Sequence, residues 1–259
     1  MSWLDGFTDN SWLRLVRHNS TTGLFSANGS TISPTFSVAT WADLAALNPT
    51  TYDGIVVSCT GVGLGGSLWK ASAAKTRWML AGPCYLANYA LVADQVAVAA
   101  PKTSLTKFHS VTLPKATNWA AASYSIMRDG DFLRVTSLCE YVSAGGSHST
   151  TLTRDYRFGT LNTTSDTLIE QAGAYSVSNL ILAEKMEFVR LSSTSLIKVG
   201  DITTDPYKGA STSAAETATT VTNIDSADMY FSIAGKMDVD GTDTYTNTRF
   251  VVELVTPGN

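Results

Sequence analysis

Along the C-terminal part of the chain, apolar and polar side chains alternate in runs bounded by glycine, aspartate and serine. In "DGDFLRVTSLCEYV", Leu133, Val135, Cys139 and Tyr141 fall on one face, and Arg134, Thr136 and Glu140 on the other. A period of two puts successive side chains on opposite sides of a strand, so this stretch predicts a half-buried β-strand entered through a turn. "STTLTRDYRFG" repeats the pattern, with Leu152, Tyr156 and Phe158 set against Thr151, Thr153, Asp155 and Arg157. "KMEFVRLS", "SLIKVGDIT" and "MYFSIAGKMDV" follow, and "TYTNTRFVVELV" ends the series with Phe250, Val252 and Leu254 facing one way. Residues 105–259 therefore predict an antiparallel β-sandwich or jelly roll of roughly eight strands. "GGSH", with His148, and Asp240-Gly241 read as hairpin turns between successive strands.

Upstream the pattern changes. In residues 33–84, "WADLAAL" reads as a short helix or turn stopped by Asn48-Pro49. A turn at Asp53-Gly54 and a strand follow, then two apolar groups, Leu68-Trp69 and Trp78-Met79-Leu80. This is a small β module, marginal alone and in need of a neighbour. In residues 85–104, Leu86, Ala90, Ala93, Ala97 and Ala100 recur at spacings of three and four, which predicts a short linker or helical stalk. Residues 1–32 place Trp3, Phe7, Trp12, Leu13, Leu15 and Val16 ahead of a polar, turn-rich stretch. Two readings stand side by side there: a docking segment, and a terminal strand packed on its own domain.

Composition supports the β reading. Only 15% of the 259 residues are charged, and Ser, Thr, Asn and Gly fill the polar positions. Long surface helices would call for more Glu and Lys. The net charge of −4, with no Lys/Arg run, argues against a nucleic-acid partner. Cys59, Cys84 and Cys139 form no C-x-x-C pair; Cys59 and Cys139 sit in apolar runs as small buried hydrophobes. "MSWLDGFTDNSWL" has neither the basic start nor the apolar stretch of a signal peptide. The most apolar stretch, residues 85–100, is interrupted by Asp94 and Gln95 and falls short of a membrane span. The expectation is a protein made in a cytoplasm without export.

Candidate chemistry changes this picture little. Gly61, Gly63 and Gly66 fit the spacing of a dinucleotide-binding loop, but "SLWKASAAKTRWML" reads as two strands rather than a helix, and no acid appears before Asp94. A glycine-rich hairpin explains the loop. His18, His109 and His148 stand far apart, and no G-x-S-x-G elbow accompanies the serines near His148. Asp129 and Asp131 would suit glycosidase chemistry, but turn formation at a strand entrance accounts for them. "DVDGTD" at 238–243 lacks the spacing and the distal Glu of a calcium loop. The expectation is no enzyme, no cofactor and no metal.

Two passages taken together resemble proteins of bacteriophage tails and fibres. "FSVATWADLAALNPTTYDGIVVSCTGVGLGGSLWKASAAKTRW" is similar to a small module in which an aliphatic turn precedes a Y-D-G turn, a strand and a tryptophan-bearing hairpin. "DGDFLRVTSLCEYVSAGGSHSTTLTRDYRFG" resembles the opening of a C-terminal jelly roll of tumour-necrosis-factor type, in which a G-D-x-L-R strand pairs with a second strand ending in R-F-G and the final strand reads like "TRFVVELV". The resemblance implies a homotrimeric virion structural protein: a tail fibre or receptor-binding protein whose distal domain contacts a host glycan or protein. Residues 1–32 would dock it to other virion proteins, although they match no attachment domain. The chain is short for a tail fibre, so a head fibre or capsid decoration protein, or a carbohydrate-binding or depolymerase spike, remains an alternative. Under this reading contact falls to loops. The loop 203–220 offers Tyr207 and Lys208, a stacking face beside a charge, with His148 as the second candidate; Trp119 and Tyr175 are further aromatic platforms, and a plain connecting role for the loop also stands.

Overall fold

The computed structural model describes residues 16–19, 24–27, 30–32, 36–89, 96–99, 104–142, 150–177, 179–201, 217–237 and 244–257. Three short strands, β1 (Val16–Asn19), β2 (Leu24–Ala27) and β3 (Ser30–Ile32), form an antiparallel meander. The small module follows as β4 (Phe36–Val38), α1 (Trp41–Ala46), β5 (Val56–Cys59), β6 (Ser67–Ala71) and β7 (Trp78–Leu80), in the sheet order β4-β5-β6-β7. β5, β6 and β7 are antiparallel, as their apolar groups predict, but β4 runs parallel to β5. A parallel pair needs a crossover, and α1 supplies it.

Local chemistry explains this short helix. Thr40 caps it: its hydroxyl accepts from the Asp43 amide at 3.1 Å, while the Asp43 carboxylate accepts from the Thr40 amide at 3.0 Å. The buried residues Trp41, Leu44 and Ala45 lie at helical spacing on one face. Leu47 has left helical geometry, as the following Asn48-Pro49 leads one to expect.

The remaining strands are β8 (Cys84–Tyr89), β9 (Val96–Ala99), β10 (Thr106–Leu113), β11 (Lys115–Thr117), β12 (Ser123–Ser125), β13 (Phe132–Val142), β14 (Thr150–Gly159), β15 (Thr167–Val177), β16 (Asn179–Ser192), β17 (Ser195–Asp201), β18 (Thr219–Thr220), β19 (Met229–Met237) and β20 (Thr244–Val255). The protein is mainly β, and its larger part is an antiparallel β-sandwich. A seven-stranded sheet, β18-β17-β16-β13-β20-β8 with β9 also on β20, faces a four-stranded sheet, β10-β19-β14-β15. Phe188 of the large sheet meets Phe231 and Tyr156 of the small one, with ring centroids 5.1 and 5.7 Å apart, and Phe231 stacks on Phe250 at 6.4 Å. Burial alternates along β13 as its sequence predicts, with Leu133, Val135, Cys139 and Tyr141 inside and Arg134 out. Phe250, Val252 and Leu254 are likewise buried. Gly235 lets the layers close: a Cβ there would lie 2.6 Å from the rings of both Phe108 and Tyr245.

Three expectations are corrected. The linker or helical stalk expected over 85–104 is not found in its described parts, because β8 and β9 both pair with β20. An alanine- and valine-rich run satisfies either period, and the backbone groups of the neighbouring strand decide between them. β13 and β14 lie in different sheets and are not the two arms of the hairpin that the reading of His148 predicts; residues 143–149 themselves lie outside the described residues. β19 and β20 also lie in different sheets and form no hairpin with each other, and Asp240-Gly241 lies outside the described residues. Alternation tells which face of a strand is apolar, but it does not tell which strand pairs beside it.

Module and sandwich share one hydrophobic cluster, which runs from Trp41, Trp69 and Trp78 through Tyr124 to Leu254. Trp41 stacks on Tyr124 at 5.4 Å, and its Nε1 donates to the Tyr124 carbonyl at 3.3 Å. The Tyr124 hydroxyl accepts from the Trp78 amide at 3.2 Å.

Candidate functional site

The outer face of the seven-stranded sheet is the most organised exposed surface among the described residues. Register builds it row by row. Ile197, Val189, Phe132 and Val255 are aligned across four strands as a half-buried apolar row. The adjacent row reads Val199, Glu187, Arg134, Glu253, Tyr85. In it Arg134 Nε donates to Glu187 at 3.0 Å and Nη1 to Glu253 at 3.1 Å, and its guanidinium lies 5.5 Å from the centre of the Phe132 ring. The third row is Lys185, Thr136, Val251. Leu138 pairs with Arg249 one step further on. Together these rows surround a depression of about 630 Å³, lined by Tyr85, Arg134, Thr136, Lys185, Arg249 and Glu253 among others. Val199 and Tyr85, exposed by 41% and 42%, flank the charged centre.

Beneath this face lies a buried polar cluster. Arg154, on the inward face of β14, forms an ion pair with Glu184 of β16, and both are almost fully buried. Tyr156 donates to Glu184 at 2.6 Å and lies 2.7 Å from the Ser137 hydroxyl. Among the described residues, Arg154 Nε and Nη1 find no hydrogen-bond partner. Burial pushes the phenols of Tyr156 and Tyr245 and the thiol of Cys139 up, so all three stay protonated. Asn247 sits beside them. Hydrogen-bond geometry orients its amide so that the nitrogen donates to the carbonyls of Leu138 and Arg249 and the oxygen accepts from His109 Nε2 at 3.2 Å. The His109 ring stacks on Tyr89 at 4.4 Å and on Phe250 at 5.6 Å, so this histidine belongs to the packing of the core.

Asp129 and Asp131 are held by arginines. Arg190, almost fully buried, donates to Asp129 at 2.8 Å and grips both carboxylate oxygens of Asp225, at 3.0 and 2.7 Å. Asp131 accepts from the Arg128 amide at 2.8 Å and from Arg77 at 3.1 Å, which ties the module to the sandwich. Burial lifts the Asp131 carboxyl to about 6, against the pull of the Arg128 amide and of Arg77. Burial also pushes Asp225 up, but Arg190 and Arg128 outweigh it and hold this carboxyl below its ordinary range.

These shifts have opposite signs in stability. Asp131 keeps its proton in the folded chain at pH values where the unfolded chain, near 3.8, has lost it. Its contribution to stability is therefore greatest below about pH 4 and declines by up to about 3 kcal/mol as pH rises to about 6. Asp225 contributes above the unfolded value of 3.8, and that contribution is lost as pH falls below it. Urea unfolding of the native chain and of Asp131→Asn at several pH values should give a difference that slopes between about pH 4 and 6. A flat difference would show that Asp131 ionises normally.

The glycine-rich segment connects two strands. Gly63, Gly65 and Gly66 all have positive φ, and the chain enters β6 directly after Gly66, with no helix for a pyrophosphate to face. All three cysteines are buried and free, and burial pushes the Cys84 thiol up to about 12. Among the described residues no group of three or more His, Cys, Asp or Glu could hold a metal. Trp119 is half-buried and packs edge-on to Tyr124 at 6.0 Å, which removes it as an open platform.

Tyr207, Lys208 and His148 lie outside the described residues, as does the side chain of Tyr175. Of the loop 203–220, Thr219 and Thr220 form β18 beside β17. Sequence reasoning missed Arg154, Glu184 and the face around Arg134. The available signal was weak: Arg154 occupies an inward position of an alternating strand, between Leu152 and Tyr156.

No protein-family model matches the sequence, and no curated protein does. A solved structure described as "Structure of infectious bursal disease virus Gx strain" is similar at 10% identity over 78% of this chain and 48% of that one, with a TM-score of 0.23. The chain thus spans less than half of that protein, and a score this low is no argument for a shared fold.

Proposed function

We propose that this chain is a structural protein of a bacteriophage-like virion, a tail fibre or receptor-binding protein whose β-sandwich meets the host surface. The observation that carries the reading is where the resembling passages fall in the fold. "GDFLR" opens β13 and "TRFVVELV" makes up most of β20, and the two are adjacent central strands joined by Arg134 and Glu253. "RDYRFG" ends β14, which lies in the opposing sheet and not beside β13 as the resemblance implies. The two adjacent strands, and the tryptophan module that shares its core with the sandwich, support the reading; the separation of β14 from β13 departs from it. Engagement of Asp129 and Asp131 by arginines also favours a structural role over glycoside cleavage. In this reading three copies associate, the N-terminal region docks to other virion proteins, and the sandwich points outward.

Antibody labelling of intact particles in the electron microscope tests the assignment. Label on the tail is the expected result; label on the capsid would favour a head fibre or decoration protein, and particles without label would overturn it. Light scattering of the purified chain should return about three times 27.6 kDa.

A further inference from the structure

We infer that the outer face of the large sheet binds an acidic saccharide, with Lys185 and Arg249 taking its carboxylate or sulfate groups. The inference rests on the attachment reading above and names a ligand class for it. Its basis is the way charge is sorted on this face. Arg134 is saturated by Glu187 and Glu253. Lys185 and Arg249 are exposed, and neither enters an ion pair among the described residues. The lining of the depression thus carries three cations, Arg134, Lys185 and Arg249, against two carboxylates, Glu187 and Glu253, a local surplus of one in a chain of net charge −4.

Register brings the two cations to one place. Lys185 pairs with Thr136, and Arg249 with Leu138, so they stand on the strands either side of β13. Their backbones are two strand spacings apart across the sheet and two residues offset along it, about 12 Å in all. Both line the 630 Å³ depression, and both also line a smaller one of about 180 Å³ with Thr136 between them. That separation suits successive anionic groups on a chain better than a single small anion. The rest of the lining suits a sugar. Tyr85, in the same row as Glu253, offers an exposed ring for the apolar face of a pyranose. Glu187 and Glu253 hold acceptor oxygens for hydroxyl groups beside the bonds they make to Arg134. A neutral sugar would leave Lys185 and Arg249 unanswered, and a simple anion would leave Tyr85 and the carboxylates idle.

The test is calorimetric titration of the full-length chain with oligogalacturonate and with a neutral oligosaccharide of equal length. The same titrations are run on Lys185→Ala/Arg249→Ala, whose fold is checked by circular dichroism and urea midpoint. The expected result is binding of the acidic oligomer that weakens with added salt and falls at least about tenfold in the double variant, with much weaker binding of the neutral one. No binding of the acidic oligomer, equal binding of the neutral one, or binding unchanged in the folded double variant would each overturn the inference. So would a Lys185→Glu/Arg249→Glu chain that binds nothing because its oligomeric state has changed, for the face would then lie between copies. Particle labelling separates the two claims: a protein seen on virions that binds no acidic oligomer removes this inference alone, while its absence from virions removes the attachment reading.

Discussion

Glu184→Ala will lower the stability of the folded chain by about 3–5 kcal/mol. Arg154 and Glu184 are exposed by only 1% and 2%, so the guanidinium left behind would have no water to replace its counter-ion. Two of its nitrogens, Nε and Nη1, have no hydrogen-bond partner among the described residues, and there the ion pair is the main compensation for burying the charge. Tyr156 would lose the carboxylate it donates to at 2.6 Å. The pair itself need not be strongly stabilising. Replacing both partners by apolar residues, Arg154→Met with Glu184→Leu, is expected to leave stability within about 2 kcal/mol of the native chain or above it. Urea unfolding at neutral pH separates the cases. A double variant as damaged as Glu184→Ala would show that shape, rather than unpaired charge, governs this part of the core.

Trp41→Ala should have an effect of the same size, about 3–5 kcal/mol, through packing. Trp41 is 3% exposed and touches both parts of the molecule: its ring lies 5.3 Å from Trp69 in the module and 5.4 Å from Tyr124 on the sandwich side. Alanine leaves a cavity beside the Trp69 and Tyr124 rings and removes the indole donor to the Tyr124 carbonyl. Trp41→Phe keeps most of the stacking and loses only the donor, so it should cost about 1–2 kcal/mol. Equal losses for Phe and Ala would place the stabilisation in the hydrogen bond and not in the stack. Because Trp41 joins the two parts, residues 54–82 of the alanine variant should also become sensitive to protease before the sandwich does.

Much of the fold was legible because β-strands declare their faces locally. The alternation of Leu133 to Tyr141 and of Phe250 to Leu254 predicted which side chains are buried, and the structure buries them. The "WADLAAL" turn was readable for the same reason, since its stop at Asn48-Pro49 is local, while the Thr40–Asp43 capping box came from the structure. Partner choice was not readable. His148 and Asp240-Gly241 look like hairpin tips, yet the strands around each lie in different sheets. Nothing within a strand records whether its next neighbour in sequence is also its neighbour in space.

The candidate site divides along the same line. The expected binding residues were sought in loops, whereas the surface inferred for the saccharide lies on strands. Its charged row exists only because the registers of β16, β13 and β20 bring Glu187, Arg134 and Glu253 level with one another. Each of these residues, read alone, is an ordinary solvent-facing position of an alternating strand. Arg154 shows the converse: its inward position was visible in the alternation, but its partner Glu184 lies 30 residues away on the opposing sheet. Read alone, the sequence established a β protein, the apolar faces of its strands and the short helix around "WADLAAL", because those properties depend on residues within a few positions. The strand order, the layer crossings, the buried Arg154–Glu184 pair and the placing of Lys185 near Arg249 followed from the folded arrangement alone, because each depends on contacts between segments far apart in the chain.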